Sequence, residues 1–483
     1  MQSEARLYPV ERDPKLRFII PAVVAMGFTL EQLDTTIITT AIPAMSKSLH
    51  TTPLMLSLAV TTYVLVLAIF IPISGWFADR FGTRRIFTAA LVTFSLGSIL
   101  SGLSINLPLL ICARALQGLG GAMMTPVGRL VLLRSFPREQ YVTAMTYMIL
   151  PGVIGPVLGP VLGGFLTTYA SWRWAFFINI PFGLIGVVLA LRFIEEEAAA
   201  TRSAFDFKGF FLFGLAVAAL QYAIGAFGRG GASIATVLAL LVASVSLFAG
   251  FAYHARRTAL RPAVDLTVFR DRAFRIGGLA GGLARMPMSA TPFLLPLMLQ
   301  LGFGETPVQS GLTTVVSIVG SLAIRPLLSR LMKALGFDRL LAGASVLCTA
   351  SLAGFALIGY STPVWMLAAY IMLFGLIRSI QFMGANTLAY SELPPAKLSA
   401  ATSVGAMMQQ LSGSFGVSIA AALLGMIAGP RHVLTVGVFH TVFLSLAILP
   451  LAAAPFFLTL DPSAGSSVSR HVRSGKAAEA PGK

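Results

Sequence analysis

The chain has 483 residues, of which 56% are hydrophobic and only 11% charged, with a mean hydropathy of +0.83. A soluble chain carries about 25% charged residues, so the composition excludes a soluble globular protein and implies an all-α integral membrane protein. The net charge of +17 raises a nucleic-acid partner as an alternative, which the placement of that charge decides below.

Runs of about twenty apolar residues, the length needed to cross a bilayer, recur along the chain. Residues 1–17 are polar and read as a tail; the first apolar run is too long for a secretory signal and carries Glu31 and Asp34. Fourteen spans are predicted: 18–45, 53–73, 86–105, 108–133, 140–168, 174–194, 208–228, 233–253, 276–302, 308–329, 340–359, 363–389, 399–428 and 436–460. Beyond them, 461–483 is rich in Ser, Gly, Ala and Arg and is expected to be a disordered tail.

Span 1 contains "FTLEQLDTTIITTAIP". Glu31 and Asp34 are the only acids placed inside any span, and their spacing sets them on one helix face. Two carboxylates so close in a low dielectric do not both hold their charge cheaply, whereas a nearby arginine favours it. They can serve a proton relay or a static ion pair with Arg114 or Arg285.

Between spans 2 and 3 stands "GWFADRFGTRR", with Gly75, Asp79, Arg80, Gly82, Arg84 and Arg85. The two glycines allow a tight turn and close helix approach. Asp79 is expected at a helix start, where a carboxylate complements the dipole. Span 4, "RALQGLGGAMMTPVGRLVLLR", buries Arg114 with Gln117 one turn on. A cation at that depth costs about 2.5–3.5 kcal/mol on insertion scales, so Arg114 needs a partner or a wet cavity; Arg129 is explained by snorkelling.

Span 5 carries "GPVLGPVLGG". Gly155, Gly159 and Gly163 are four residues apart and form a ridge without side chains, with Gly164 beside it. Pro156 and Pro160 lie in an adjacent row, each removing a backbone donor and bending the span. Such a seam suits a helix sliding against a partner from the other half of the chain; tight static packing is the alternative.

The second half has intramembrane polar residues of its own: Arg285, Arg325, Arg378, Gln381, Asn386, Gln409 and Gln410. For the two adjacent glutamines, helix–helix hydrogen bonding and substrate contact are both open. Methionines in "GAMMTP", "RMPMSATPFLLPLML" and "GAMMQQL" suit a pocket for varied apolar ligands as well as generic packing.

Of the 35 Lys and Arg residues, one set of alternating loops holds only Lys47, Arg173, Arg229 and Arg431; Arg114, Arg129, Arg285, Arg325 and Arg378 lie well within spans, and the rest fall on the other side, Arg192 and Lys208 at span ends there, or in the tails. This is the positive-inside rule. It places both termini in the cytoplasm and makes the charge a topology signal, with no nucleic-acid partner. Cys112 and Cys348 both fall in spans, so no disulfide is expected.

A weak repeat runs through the chain. A shift of 254 brings Pro72 onto Pro326, Gly82 onto Gly336, Arg85 onto Arg339 and Glu31 onto Arg285; a shift of 257 brings Gly118 onto Gly375, Pro137 onto Pro394 and Gly159 onto Gly416. Parallel halves with a binding site between them are one transporter plan. The predicted organisation is a tail (1–17), a six-helix bundle (18–194), a linker with two extra spans (195–275), a second six-helix bundle (276–460) and a tail (461–483). The repeat sets Arg285 opposite Glu31, so a pair between Arg285 and Glu31 or Asp34 is expected.

Five segments in order, "LDTTIITTAIP", "GWFADRFGTRR", "RALQGLGGAMMTP", "GPVLGPVLGG" and "SWRWAFFINIPFG", resemble the fourteen-span drug–proton antiporter branch of the major facilitator superfamily. The resemblance implies the rocking fold of two six-helix bundles with two additional transmembrane helices between them. It makes Asp34 the family's span-1 acid and Arg114 its span-4 arginine coupled to proton movement. It assigns Gly75 to Arg85 to the loop that latches the cytoplasmic side, and Gly155, Gly159, Pro160, Gly163 and Gly164 to the antiporter motif. Two departures stand out. Lys333 occupies the position where the repeat predicts an acid matching Asp79, and Glu31 is an added acid, so Glu31 and Asp34 both remain candidate proton carriers.

The expected function is proton-driven export of amphipathic or apolar small molecules across the inner membrane, with the proton gradient as energy source and no cofactor or metal. An uptake symporter or an exporter of one metabolite on the same fold is the alternative. An enzyme is disfavoured because His50, His254, His432, His440 and His471 are scattered and no phosphate loop or Cys/His set occurs. The expected partners are a small-molecule substrate and the lipid bilayer. The chain is expected as a monomer, with accessory export proteins as candidate partners.

Overall fold

Within hydrocarbon every backbone N–H and C=O has to be satisfied inside its own segment, and the apolar runs accordingly become helices. The computed structural model describes residues 9–196, 204–229, 233–258, 260, 262–394, 397–429, 433–461 and 463–465. Residues 1–8, Arg431, His432, His471 and most of the expected disordered tail (466–483) lie outside them. No strand occurs among the described residues.

Numbering only the long helices, the first half contains α1 (Leu16–Ile37), α2 (Pro53–Phe81), α3 (Thr83–Gly102), α4 (Leu107–Ser135), α5 (Tyr141–Tyr169) and α6 (Asn179–Phe193). Next come α7 (Phe207–Arg229) and α8 (Ile234–Arg257). Then follow α9 (Arg272–Leu297), α10 (Pro307–Ala323), α11 (Arg325–Ala353), α12 (Val364–Ser391), α13 (Leu398–Ala428) and α14 (Val436–Leu458). Twelve described helices are long and apolar enough to cross a membrane. The other two, α10, apolar but short, and α9, rich in glycine and arginine, are consistent with the fourteen expected.

Local chemistry sets the helix ends. Thr52 Oγ1 accepts from Met55 N at 3.2 Å ahead of Pro53, and Asn106 Oδ1 accepts from Leu109 N at 2.9 Å ahead of Leu107-Pro108. Each is a side-chain N-cap followed by a proline at the first or second helical position. The α2–α3 junction is a single residue, Gly82, at φ 92°, ψ 143°. Its repeat mate Gly336 has φ 73°, ψ 169° and breaks α11 at the corresponding place. Expected span 10 therefore runs through α10 into the first part of α11, interrupted at Ile324 ahead of Arg325-Pro326, and expected span 11 begins after Gly336. The three prolines of α5, by contrast, leave it one helix from Tyr141 to Tyr169.

Packing divides the chain into two compact units. The first comprises Met1–Val264, Ser289–Val315 and Gln409–Phe439. In it α1 packs against α5, α4 and α6, and α4 packs against α2 and α3. The inserted α7 is an interior helix of this unit. Phe210 meets Phe70 of α2 edge-on at 5.3 Å, and Gln221 donates to Ser418 Oγ and the Ser414 carbonyl of α13. α8 is its outer companion, held by Ser244 Oγ on the Ala216 carbonyl (2.9 Å) and by His254 Nε2 beside Asp206 Oδ1 (2.7 Å). Its other face, Ile234, Leu238, Val242 and Val245, is exposed, as befits contact with lipid.

The second unit comprises Asp265–Met288, Val316–Met408 and His440–Lys483. Its core gathers Ala280 and Ala284 of α9, Leu328, Phe337 and Leu341 of α11, Leu388 of α12 and Phe457 of α14. Both the exposed apolar faces and the span count make this a multi-pass membrane protein.

Candidate functional site

The charged centre of the first unit is built by α1, α4 and α6. Asp34 and Arg114 are both fully buried, with Arg114 Nη1 2.6 Å from Asp34 Oδ2. Gln117, one turn beyond Arg114, accepts from Arg114 Nη1 at 2.7 Å and donates from Nε2 to Asp34 Oδ1 at 2.7 Å. Asn179 of α6 adds Nδ2 to Asp34 Oδ1 at 3.3 Å and to Ser98 Oγ at 3.0 Å. The guanidinium carbon lies 4.2 Å from the Tyr63 ring centroid, a cation–π contact. Three donors thus converge on one carboxylate, and for Asp34 to gain a proton at least one of them has to turn away.

Glu31, one helical turn away on α1, is in a different situation. Among the described residues its buried carboxylate accepts one hydrogen bond, from Thr125 Oγ1 of α4 at 2.5 Å, and no guanidinium bonds to it. The two acids therefore share a helix face and differ in commitment: Asp34 is fastened by an ion pair, Glu31 by a single hydroxyl.

The loop motif requires corrections. Asp79 is not at a helix start; α2 continues through Ala78-Asp79-Arg80 to Phe81, which puts Asp79 in the last turn, the negative end of the dipole. Arg134 of α4 balances it at 2.7 Å. Gly82 makes the turn, but a Cβ at Gly75 would meet nothing within 4 Å, so close helix approach does not explain that glycine. Arg80 stacks over Trp76 (5.4 Å) and Phe81 (5.8 Å), Arg85 pairs with Glu196, and Arg84 lines a shallow surface hollow with Arg192 and Glu196.

The glycine ridge of α5 lies against α1, the helix that carries both acids. A Cβ on Gly155 would stand 3.0 Å from Leu33 N; on Gly159 it would collide with Thr36 Oγ1, and on Gly163 with the Ile37 carbonyl. The expected partner from the other half is met only at the adjoining face. There a Cβ on Gly164 would strike the Pro307 carbonyl of α10, and one on Gly311 the Pro160 carbonyl. The correction is physical: the four-residue row follows α1 alone, while Pro160 and Gly164 turn to α10.

In the second unit Arg285 Nη2 donates to Asn386 Oδ1 at 3.0 Å, and its guanidinium stands 4.5 Å from the Phe382 ring centroid. Within its own unit each arginine has a partner, Asn386 for Arg285 and Asp34 for Arg114. Arg378 is half-buried near Ser321 Oγ (3.4 Å), and Gln381 is buried with neither amide atom hydrogen-bonded. Arg325 and Lys333 are exposed; Gln409 and Gln410 are half-buried on α13.

Thr125, Asn179 and Tyr63 belong to the centre and were not among the candidates read from the sequence. Two of them sit inside quoted segments, Thr125 in "GAMMTP" and Asn179 in "FINIPFG". A hydroxyl and an amide at membrane depth were the available signal. No group of three or more potential metal ligands occurs among the described residues.

The family profile described as Major Facilitator Superfamily matches residues 24–417 and 279–481. A protein of Serratia proteamaculans bearing the name multidrug resistance protein MdtD is 38% identical over 422 residues, covering 87% of this chain and 88% of its own. Its namesake from Escherichia coli O139:H28 is 39% identical over 463 residues, covering 94% and 97%. Among solved structures, a POT family transporter superposes with a TM-score of 0.68 at 15% identity over 94% of this chain and 96% of its own. The nucleoside transporter NupG gives 0.63 at 14% identity over 92% and 98%; at such identities the likeness concerns the fold. Matched along nearly its whole length, the chain belongs to the major facilitator superfamily.

Proposed function

We propose that this protein is a proton-coupled antiporter of the inner membrane that exports amphipathic or apolar small molecules, with both termini in the cytoplasm. The observation that carries the proposal is the pair of buried acids on one face of α1, one ion-paired with Arg114 and the other accepting a hydrogen bond from Thr125. The names of the relatives support multidrug export, and the loop charge asymmetry supports the orientation.

Glu31 is the proton carrier in this reading, because losing or gaining a proton there disturbs one hydroxyl contact. Asp34 and Arg114 are the responding pair: charge on Glu31 competes for the same local field, and the bonds from Gln117 and Asn179 to Asp34 rearrange with it. Substrate drives the cycle only through different affinity for the two facing states. Contacts among Gly164 and Pro307, Gly311 and Pro160, and Gln300 Nε2 and the Thr40 carbonyl (3.0 Å) knit the end of the first unit opposite the arginine-rich loops.

Proteoliposomes with an imposed pH gradient test the proposal. Glu31→Gln should exchange substrate across the membrane while losing gradient-driven flux. Asp34→Asn should lose both. Gradient-driven export by Glu31→Gln would remove Glu31 from the carrier role, and accumulation in the direction of proton entry would replace export with uptake.

A further inference from the structure

Among its described residues the second unit holds a buried cation and no buried Asp or Glu. No Asp or Glu occurs within α9, α12 or α14. Arg285 is about 7% exposed, its Nη2 goes to the neutral Asn386, and its Nε has no hydrogen-bond partner among the described residues. Across from it α12 runs antiparallel to α9: a Cβ on Gly277 would meet Ala389 and one on Gly281 would meet Ala385. One further turn of that register brings Arg285 level with Gln381, whose two side-chain polar atoms are buried and unpartnered. The Arg285–Phe382 contact agrees with this register. A lone guanidinium at membrane depth is costly and is by default functional. Here the guanidinium with its unused N–H lies over an aromatic face, and an unused amide donor stands at the same level of the neighbouring helix.

We propose that Arg285 and Gln381 form a recognition site for the carboxylate group of an amphipathic anionic substrate. The guanidinium and the amide would donate to the two carboxylate oxygens, and Phe382 would border the apolar body. The inference rests on the transport reading above and narrows it, because a substrate bearing an anion satisfies what the chain leaves unsatisfied. A cationic substrate would add a second like charge to this corner.

The test is binding to the full chain in lipid nanodiscs with three probes of one shape: 1-naphthylacetate, its primary amide, and the corresponding 1-naphthylethylammonium. The carboxylate should bind about tenfold or more tighter than the amide, the margin of a charge-assisted pair, and the ammonium most weakly. Arg285→Gln should erase that preference, and Gln381→Ala should reduce it about threefold. Arg285→Lys keeps the charge but not the fork; it should retain a weakened preference, and it stands in if Arg285→Gln does not fold. Equal affinity for all three probes, a preference for the ammonium, or an unchanged preference in Arg285→Gln would overturn the proposal. Proton-driven flux of the ammonium without carboxylate preference would sink this inference alone. Arg285-dependent carboxylate binding without any gradient-driven flux would instead sink the proton-coupling reading.

Discussion

The α2–α4 crossing of the first unit and the α10–α12 crossing of the second share a backbone plan, while the charged groups beside them carry opposite chemistry. A Cβ on Gly118 would lie 2.6 Å from the Tyr63 carbonyl, and one on its repeat mate Gly375 would collide with the carbonyl of Ser317. Ser317 is Tyr63 shifted by the same 254 residues that relate Gly82 to Gly336. Beside the first crossing, however, an arginine is paired with an acid that two side-chain amides also hold. Beside the second, an arginine leans on an amide and a phenyl ring. Backbone approach is therefore repeated while charge is not, which separates what the fold needs from what the function needs.

The strongest way to break this comparison is through the glycines. Gly118→Leu and Gly375→Leu should each prevent recovery of folded protein, because the obstructing atom is a backbone oxygen that cannot rotate away; size-exclusion profiles after solubilisation report it. If one is tolerated and the other is not, the two crossings are not equivalent. Next in size, Asp34→Ala should cost about 3–5 kcal/mol by stranding Arg114, whereas Arg285→Met should leave stability unchanged or raised by about 1–4 kcal/mol. Thermal unfolding in detergent would show opposite shifts, and shifts of the same sign would dissolve the contrast. The smallest effect belongs to the half-exposed Asp79–Arg134 pair. Arg134→Ala should cost only about 0.2–1 kcal/mol, measured in the same way.

Much of the fold was legible because hydrocarbon demands long apolar helices, and because Gly82 and Gly336 must both turn with positive φ. Arg114 and Asp34 were legible as buried charges that need partners, though the sequence left Arg114 and Arg285 both open as the acid's partner. Three things were not. Asn179 reaches Asp34 from 145 residues away, a proximity no local pattern encodes. Asp79 was assigned to the wrong helix because a glycine turn one residue long hides where α2 stops. The inserted α7 is as apolar as its neighbours, so nothing along the chain distinguishes a helix that docks through Gln221 on Ser418 from one that simply faces lipid.

The ridge of Gly155, Gly159 and Gly163 has a kinetic consequence. Contacts between ordinary side chains freeze rotamers when they form and release them when they part, about 0.5–2 kcal/mol for each larger residue. Along this seam one partner has no rotamers at all, and the other offers backbone and the short hydroxyls of Thr36 and Thr40, already bonded to their own helix. Displacing α5 along α1 thus carries almost no side-chain entropy in either direction. The acid-bearing helix can change its position with little friction, and the rate of the cycle is left to be set by the charges.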